Sequence, residues 1–347
     1  MERRPTIRDV ARRAGVHPAT ASRALNPALP GRIAEPTAAR VRDAADALGY
    51  RPDPTARSLR TRRSGIAGVV VPDLTNPVLP PIVRGIEETL WGAGLACLVA
   101  DTDNDVEREA VAVRELVARR CDGLIVASAT RTSATVRALA RVGTPAVLVT
   151  RDVERAGLPF VGGDDAAGVE AAVEHLAGLG HERIGYLSGP AGLSTTQTRL
   201  RAVRRAIAGA GLGEGLVVAE ATAYTIAAGR VAAGAMLAAH GEVTAILAGN
   251  DMLALGVYEA LAAAGLRCPD DVSVAGHNDM PLVDRIAPPL TTVAIPRYEI
   301  GVLAARRLLA RLGADGGDPG PRRALLPVTL VVRGSTAPPS RRRRVGR

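Results

Sequence analysis

TIRDVARRAGVHPATASRALN, residues 6–26, decides how this chain is read. Thr6 suits a helix N-cap, and Asp9 puts a carboxylate in the first turn, a variant of the capping box. Ile7, Val10, Ala11 and Ala14 recur at i, i+3, i+4 and i+7 and form one apolar helix face. Gly15 follows, a residue that accepts positive φ at a helix end, and Pro18 fits the first turn of a second helix. Ala21, Ala24 and Leu25 supply that helix's inward face, while Thr20, Ser22 and Arg23 point elsewhere. Two short helices joined by a Gly-containing turn are either an ordinary αα-hairpin or a helix-turn-helix whose second helix enters the DNA major groove.

Charge distribution favours the second reading. Residues 1–63 carry 14 Arg against 6 acids, residues 64–340 carry 25 Arg against 29, and residues 341–347 add 5 Arg. All 44 basic residues are Arg, which points to a coding bias and weakens an argument from Arg counts alone. The same bias acts on the acidic middle, so the asymmetry stands, and a basic module ahead of an acidic body suggests nucleic-acid binding. At 347 residues, 47% hydrophobic, with no apolar run near 18, the chain reads as two or three soluble globular domains without a membrane span. Its charged N-terminus leads straight into a helix, which implies no signal peptide. Cys97, Cys121 and Cys268 are isolated, with no CxxC pair, and read as buried thiols of a cytoplasmic protein without a metal site.

Downstream, PALPGRIAEP (27–36) is a Pro/Gly-rich loop, and Thr37–Leu48 follows as a third helix with Val41, Ala44, Ala45 and Leu48 on one face. A three-helix headpiece over residues 1–50 results. YRPDPTARSLRTRR (50–63) is either a basic flexible linker or a hinge that becomes helical only on DNA. From Ile66 the texture alternates. IAGVVV (66–71), LACLVA (95–100), GLIVAS (123–128) and AVLVT (146–150) read as fully buried strands, with helices near 77–93, 105–120 and 132–142. IGYLSG (184–189), LVVAE (216–220), AILAG (245–249) and VSVAG (272–276) repeat the pattern. Two parallel, doubly wound α/β lobes follow, with a cleft at the carboxyl ends of their strands. Lobe one spans about 64–161 and 293–325, lobe two about 162–292 and 326–337, and residues 338–347 form a basic disordered tail without the heptads that would join dimers. Enzyme signatures are missing: GVVVPDLTNP stands where a GxGxxG would follow the first strand, and the chain holds no P-loop, G-x-S-x-G elbow or metal cluster.

The headpiece stretch, ALGYRPDPTARSLR, GVVVPDLTNP, VLVTRDV, VGGDDAAGVEAAVEHLAGLGHERIGYLSGP, STTQTRLRAVRRAI, AILAGNDMLALGVYEAL, PDDVSVAGHNDMP, PPLTTV and LVVRGST, in this order, resemble the lactose/galactose-repressor family over residues 5–336. That resemblance implies a helix-turn-helix headpiece, a hinge helix and a periplasmic-binding-protein-like effector domain. It implies a homodimeric repressor of near-palindromic operator DNA, governed by a sugar or small acidic metabolite, with no cofactor, catalysis or membrane. Family base contacts fall on His17, Pro18, Ala19 and Arg23, of which Arg23 can hold guanine bidentately. Thr20 and Ser22 suit phosphate contacts or capping, and Thr6, Asn26 and Tyr50 join the same DNA-binding set. His17 departs from the small hydroxyl residue common there; it caps, touches phosphate, or is simply exposed. The loop before helix three looks about two residues longer than usual by this comparison, and Ala38 stands where the family often has Arg, with Arg32 or Arg40 as substitutes. In the hinge, Leu59 matches a minor-groove wedge, Ala56 permits close helix approach and Arg60 flanks the groove.

In the cleft the matching positions are Leu79, Arg151, Thr195, Arg199, Tyr224, Asn250 and Asn278. Arg199 offers a fork to hydroxyls or a carboxylate, and Tyr224 either stacks on a ring or is a packed loop residue. Asn278 replaces an acid often found there, leaving few acidic acceptors, and Asp164 and Asp165 are read as caps for a helix from Ala166.

Overall fold

The structure, a computed structural model, describes residues 5–25, 31–51, 63–313 and 320–340. It divides into two compact units, residues 1–65 and 66–347.

In the first unit, α1 (Ile7–Ala14) opens where Asp9 Oδ2 accepts from the Thr6 backbone N–H at 2.9 Å and from its hydroxyl at 2.7 Å. Gly15 closes α1 at φ 65°, in the left-handed region, with the Val16 N–H on the Ala11 carbonyl at 3.0 Å. α2 spans Pro18–Ala24 and α3 Glu35–Ala47. α3 begins two residues ahead of the expected Thr37, because Pro36 is tolerated in a first turn where no N–H is needed. Val10, Ala11, Ala14, Ala21, Val41, Ala44 and Ala45 form the core, flanked by half-buried Leu48 and Tyr50. Ala38 is buried, 6% exposed, so an Arg at this position would have to leave the core rather than simply extend toward phosphate.

The second unit holds two six-stranded sheets. The first uses β1 (Ile66–Val71), β2 (Ala96–Asp101), β3 (Gly123–Val126), β4 (Ala146–Val149), β5 (Phe160–Gly163) and β11 (Arg323–Leu326), in the order β11-β5-β4-β3-β1-β2, all parallel. Its helices are α4 (Leu79–Gly92), α5 (Val106–Ala118), α6 (Ala134–Arg141) and α11 (Arg297–Arg311). The second sheet orders β12 (Thr329–Val331), β10 (Thr291–Ala294), β9 (Ser273–Asn278), β8 (Ala245–Ala248), β6 (Ile184–Ser188) and β7 (Leu216–Glu220), parallel except for the antiparallel β10–β12 pair. Its helices are α7 (Asp165–Gly178), α8 (Ser194–Gly209), α9 (Ile226–Ala239) and α10 (Asp251–Ala263).

One expectation is corrected. β2 and β7 are edge strands rather than fully buried ones: Leu98, Val99 and Val218 are exposed, because only one side of each strand pairs. The strands before the crossings between sheets end at Gly163, Ala294 and Leu326, within one or two residues of the expected bounds of about 161, 292 and 325.

Candidate DNA-reading helix and interlobe cavity

α2 shows a graded surface. Ala21 is buried, Pro18 and Thr20 are half-buried, and His17, Ala19, Ser22 and Arg23 are exposed. Ala19, Ser22 and Arg23 stand at i, i+3 and i+4 and share one face, and no described residue pairs with Arg23. His17 is the N-cap: its Nδ1 accepts from the Ala19 N–H at 3.2 Å, which fixes the proton of the neutral ring on Nε2. The sequence left open what His17 does, and this contact gives it a structural task. Thr6 is occupied at the start of α1, and Tyr50 packs on the headpiece core. Asn26, Ala56, Leu59 and Arg60 lie outside the described residues, as do residues 341–347.

A cavity lies between the two sheets. All seven cleft positions expected from the sequence line it: Leu79 and Arg151 from the first lobe, Thr195, Arg199, Tyr224, Asn250 and Asn278 from the second. The walls come from the carboxyl ends of strands, where open α/β sheets place ligands. Arg151 follows β4, and Asn278 ends β9 at φ 115°, a strained value for a residue with a side chain. Asp251 holds that corner, accepting from the Met280 N–H at 2.8 Å and from the Thr292 hydroxyl, and burial raises its carboxyl to about 6. A neighbouring space shares Thr150, Gly163, Asp165 and Thr195 with the first.

Arg199 is committed more fully than its sequence position suggested. Its Nη2 donates to Asp165 Oδ1 at 2.9 Å and its Nη1 to the Gly249 carbonyl, while Nε is buried without a partner. Asp165 also accepts from His277 Nε2 at 3.1 Å, leaving His277 Nδ1 buried and unpaired. Burial opposes ionisation of Asp165, but Arg199 and His277 outweigh it and hold the carboxyl below the usual range. Burial, then the Arg199 charge, lower the His277 imidazole to about 4, so the ring is neutral near pH 7. Asp164, not Asp165, caps α7, accepting from the Ala167 N–H at 3.1 Å. Asp165 opens the helix and faces the cavity because its Oδ1 is drawn to Arg199. Sequence reading missed this group, since Asp165 and His277 are 112 residues apart; the histidine within GHND was the available signal.

Arg151 behaves differently. Nη1 donates to the Ser128 carbonyl at 3.1 Å and Nη2 to Asn104 Oδ1 at 2.9 Å, with no carboxylate among the described residues within ion-pair distance. Burial lowers its guanidinium to about 10, which leaves it charged. Tyr224 lies against Gly189, where an added Cβ would sit 2.2 Å from the ring, and its hydroxyl pairs with Thr196 Oγ1 at 2.9 Å. Asn250 caps α10 through Oδ1, at 2.9 Å from the Leu253 N–H.

A helix-turn-helix module in a chain with such a two-lobed body defines a DNA-binding transcriptional regulator. Residues 6–53 match the model of the bacterial regulatory proteins of the lacI family, and residues 173–336 match a periplasmic binding protein-like domain. The HTH-type transcriptional regulator DegA of Bacillus subtilis is 32% identical, with 96% of this chain and 98% of DegA covered. MalR of Streptomyces coelicolor is 36% identical over 95% of this chain and 96% of MalR, and the repressor CytR of Escherichia coli K12 is 32% identical over 95% and 96%. Among solved structures, the lac repressor dimer bound to operator and the anti-inducer ONPF superposes with a TM-score of 0.84 at 27% identity, covering 96% of this chain and all of that one. A CelR–cellobiose complex gives 0.71 at 28% identity, over 96% of this chain and all of CelR. The chain belongs to the lacI family of bacterial regulatory proteins. Its relatives are regulators rather than enzymes, and no described helix is long and apolar enough to cross a membrane.

Proposed function

We propose that this chain is a cytoplasmic repressor that binds a near-palindromic operator as a homodimer and answers to a small molecule, a sugar or a small acidic metabolite, in the interlobe cavity. The observation that carries the reading is the cavity itself, lined from both lobes at the strand carboxyl ends, in a chain that also holds an exposed recognition face at Ala19, Ser22 and Arg23. The lac repressor dimer provides the parallel for operator and dimer, and the CelR–cellobiose complex that for a carbohydrate ligand. The protein acts by binding, without catalysis. Arg23 makes the guanine contact, Ala19 and Pro18 meet apolar base edges, Thr20 and Ser22 touch phosphate, and His17 supports the helix start.

Control operates by population shift: a ligand that binds one arrangement of the lobes better changes how the dimer presents its two headpieces. A gel shift on DNA upstream of the chain's own gene tests the reading. Selective retardation that falls steeply with salt is expected, because phosphate contacts release counterions. Equal affinity for that region and for scrambled DNA would overturn it.

A further inference from the structure

The cavity's lining holds two arginines, Arg151 and Arg199, against one carboxylate, Asp165, among the described residues. Asp165 Oδ1 already accepts from Arg199 and His277. The amide oxygens of Asn76 and Asn250 are also in use, accepting from the Val78 N–H at 3.2 Å and the Leu253 N–H at 2.9 Å. Each of these side chains also keeps an NH2 group, which only donates. Arg151 adds N–H donors and a positive charge that no carboxylate among the described residues offsets at close range; Glu109 and Asp73 act on it from farther away. The 16-residue helix α8 starts beside Thr195 with no side-chain cap, so its first-turn N–H groups present the positive end of the helix dipole.

We propose that the molecule bound in this cavity carries an anionic oxygen group, a carboxylate or a phosphate, held by Arg151 with the free amide donors around it. A neutral polyol leaves the charge of Arg151 unanswered. An oxyanion brings acceptors alone and completes the charge of Arg151, whose planar fork suits it. This rests on reading the cavity as the effector site and narrows the class of effector.

Calorimetric titration of the full chain at constant ionic strength tests it, with inorganic phosphate, D-gluconate and D-glucose 6-phosphate each set against D-glucose. At least one anion is expected to bind about tenfold or more tighter than D-glucose, a difference above about 1.4 kcal/mol. Gluconate against glucose 6-phosphate separates a carboxylate from a phosphate. Arg151→Gln is expected to erase the preference. Asn278→Asp, near-isosteric, returns a carboxylate to the cavity and is expected to turn the preference toward D-glucose even if Arg151→Gln fails to fold. D-glucose binding as tightly as the anions, no binding by any anion, or a preference unchanged in Asn278→Asp would overturn the proposal. Operator selectivity in the gel shift is read separately, so loss of the anion preference with selectivity intact overturns only the ligand class.

Discussion

His277 and Asp251 both contribute to the response of the body to acid, and they pull in opposite directions. Burial and the Arg199 charge lower the His277 imidazole to about 4 from the usual 6.5, so the unfolded chain takes up its proton first. Its contribution to stability is complete above about 6.5 and is lost as pH falls through 4. Asp251 is the reverse case: burial raises its carboxyl from 3.8 to about 6, so the folded chain takes up the proton first. Its contribution is complete below 3.8 and is lost as pH rises through about 6. Between pH 6.5 and 4 the two therefore largely offset each other. Removing one uncovers the other. A tenfold difference in proton affinity between folded and unfolded chains is worth about 1.4 kcal/mol, so His277→Gln is expected to lose about 2 kcal/mol less stability than the parent chain between pH 6.5 and 4.5. Urea unfolding across a pH series checks this, and parallel pH profiles for the two proteins would show that His277 takes up no proton on unfolding.

At the scale of the element, α2 begins on a histidine cap, and the bond is a single Nδ1 acceptor on the Ala19 N–H. Loss of an N-cap costs about 1 kcal/mol. His17→Ala is expected to weaken operator binding and speed amide exchange at Ala19, whereas His17→Ser, which restores a hydroxyl acceptor, recovers the protection. Equal exchange in all three proteins would remove the cap from the account. Helix pairs in the body make a second case. α4 and α11 approach backbone to backbone: an added Cβ on Gly301 would lie 2.1 Å from the Ile82 carbonyl oxygen, and one on Gly85 2.2 Å from that of Tyr298. α9 and α10 do the same at Gly229 and Gly256. Gly301→Ala is expected to cost about 1–3 kcal/mol through forced separation, while Gly92→Ala, with open space around it, is expected to be neutral or slightly stabilising in the same thermal melt. Much of this architecture was legible in the sequence. β1, β6 and β7 coincide with apolar stretches read as strands, and Gly15 and Pro18 mark helix ends. Burial was less legible, because an apolar run such as LACLVA looks the same in the centre of a sheet and at its edge. The short strands β5, β10, β11 and β12 carry too few residues for a period to show. In the cavity the positions of all seven side chains were readable from motif order. The commitment of Arg199 was not, since its partners Asp165 and Gly249 lie 34 and 50 residues away along the chain.

Across the whole molecule the charges separate by task. Residues 1–63 carry 14 Arg against 6 acids and residues 64–340 carry 25 Arg against 29, so nucleic acid is drawn to the headpiece while the body adds little attraction of its own. A regulator built this way must couple a cavity event in the body to DNA binding by the headpiece, and linkage limits how that can happen. If a ligand changes operator affinity by some factor, operator must change the affinity for that ligand by the same factor. Factors of roughly 5–150, or about 1–3 kcal/mol of coupling, are usual for allosteric sites. The tightest-binding anion of the calorimetric panel is therefore expected to show two affinities, one for the free chain and one for the chain saturated with operator. Their ratio should equal the ratio of operator affinities with and without that anion at the same salt. Salt must be held fixed, because phosphate contacts alone can shift the affinity of a DNA-binding protein by orders of magnitude over a modest salt range. Agreement of the two ratios away from unity would make the cavity an allosteric site. Two ratios of one would reduce the anion to a bystander, and operator control would then have to come from another ligand.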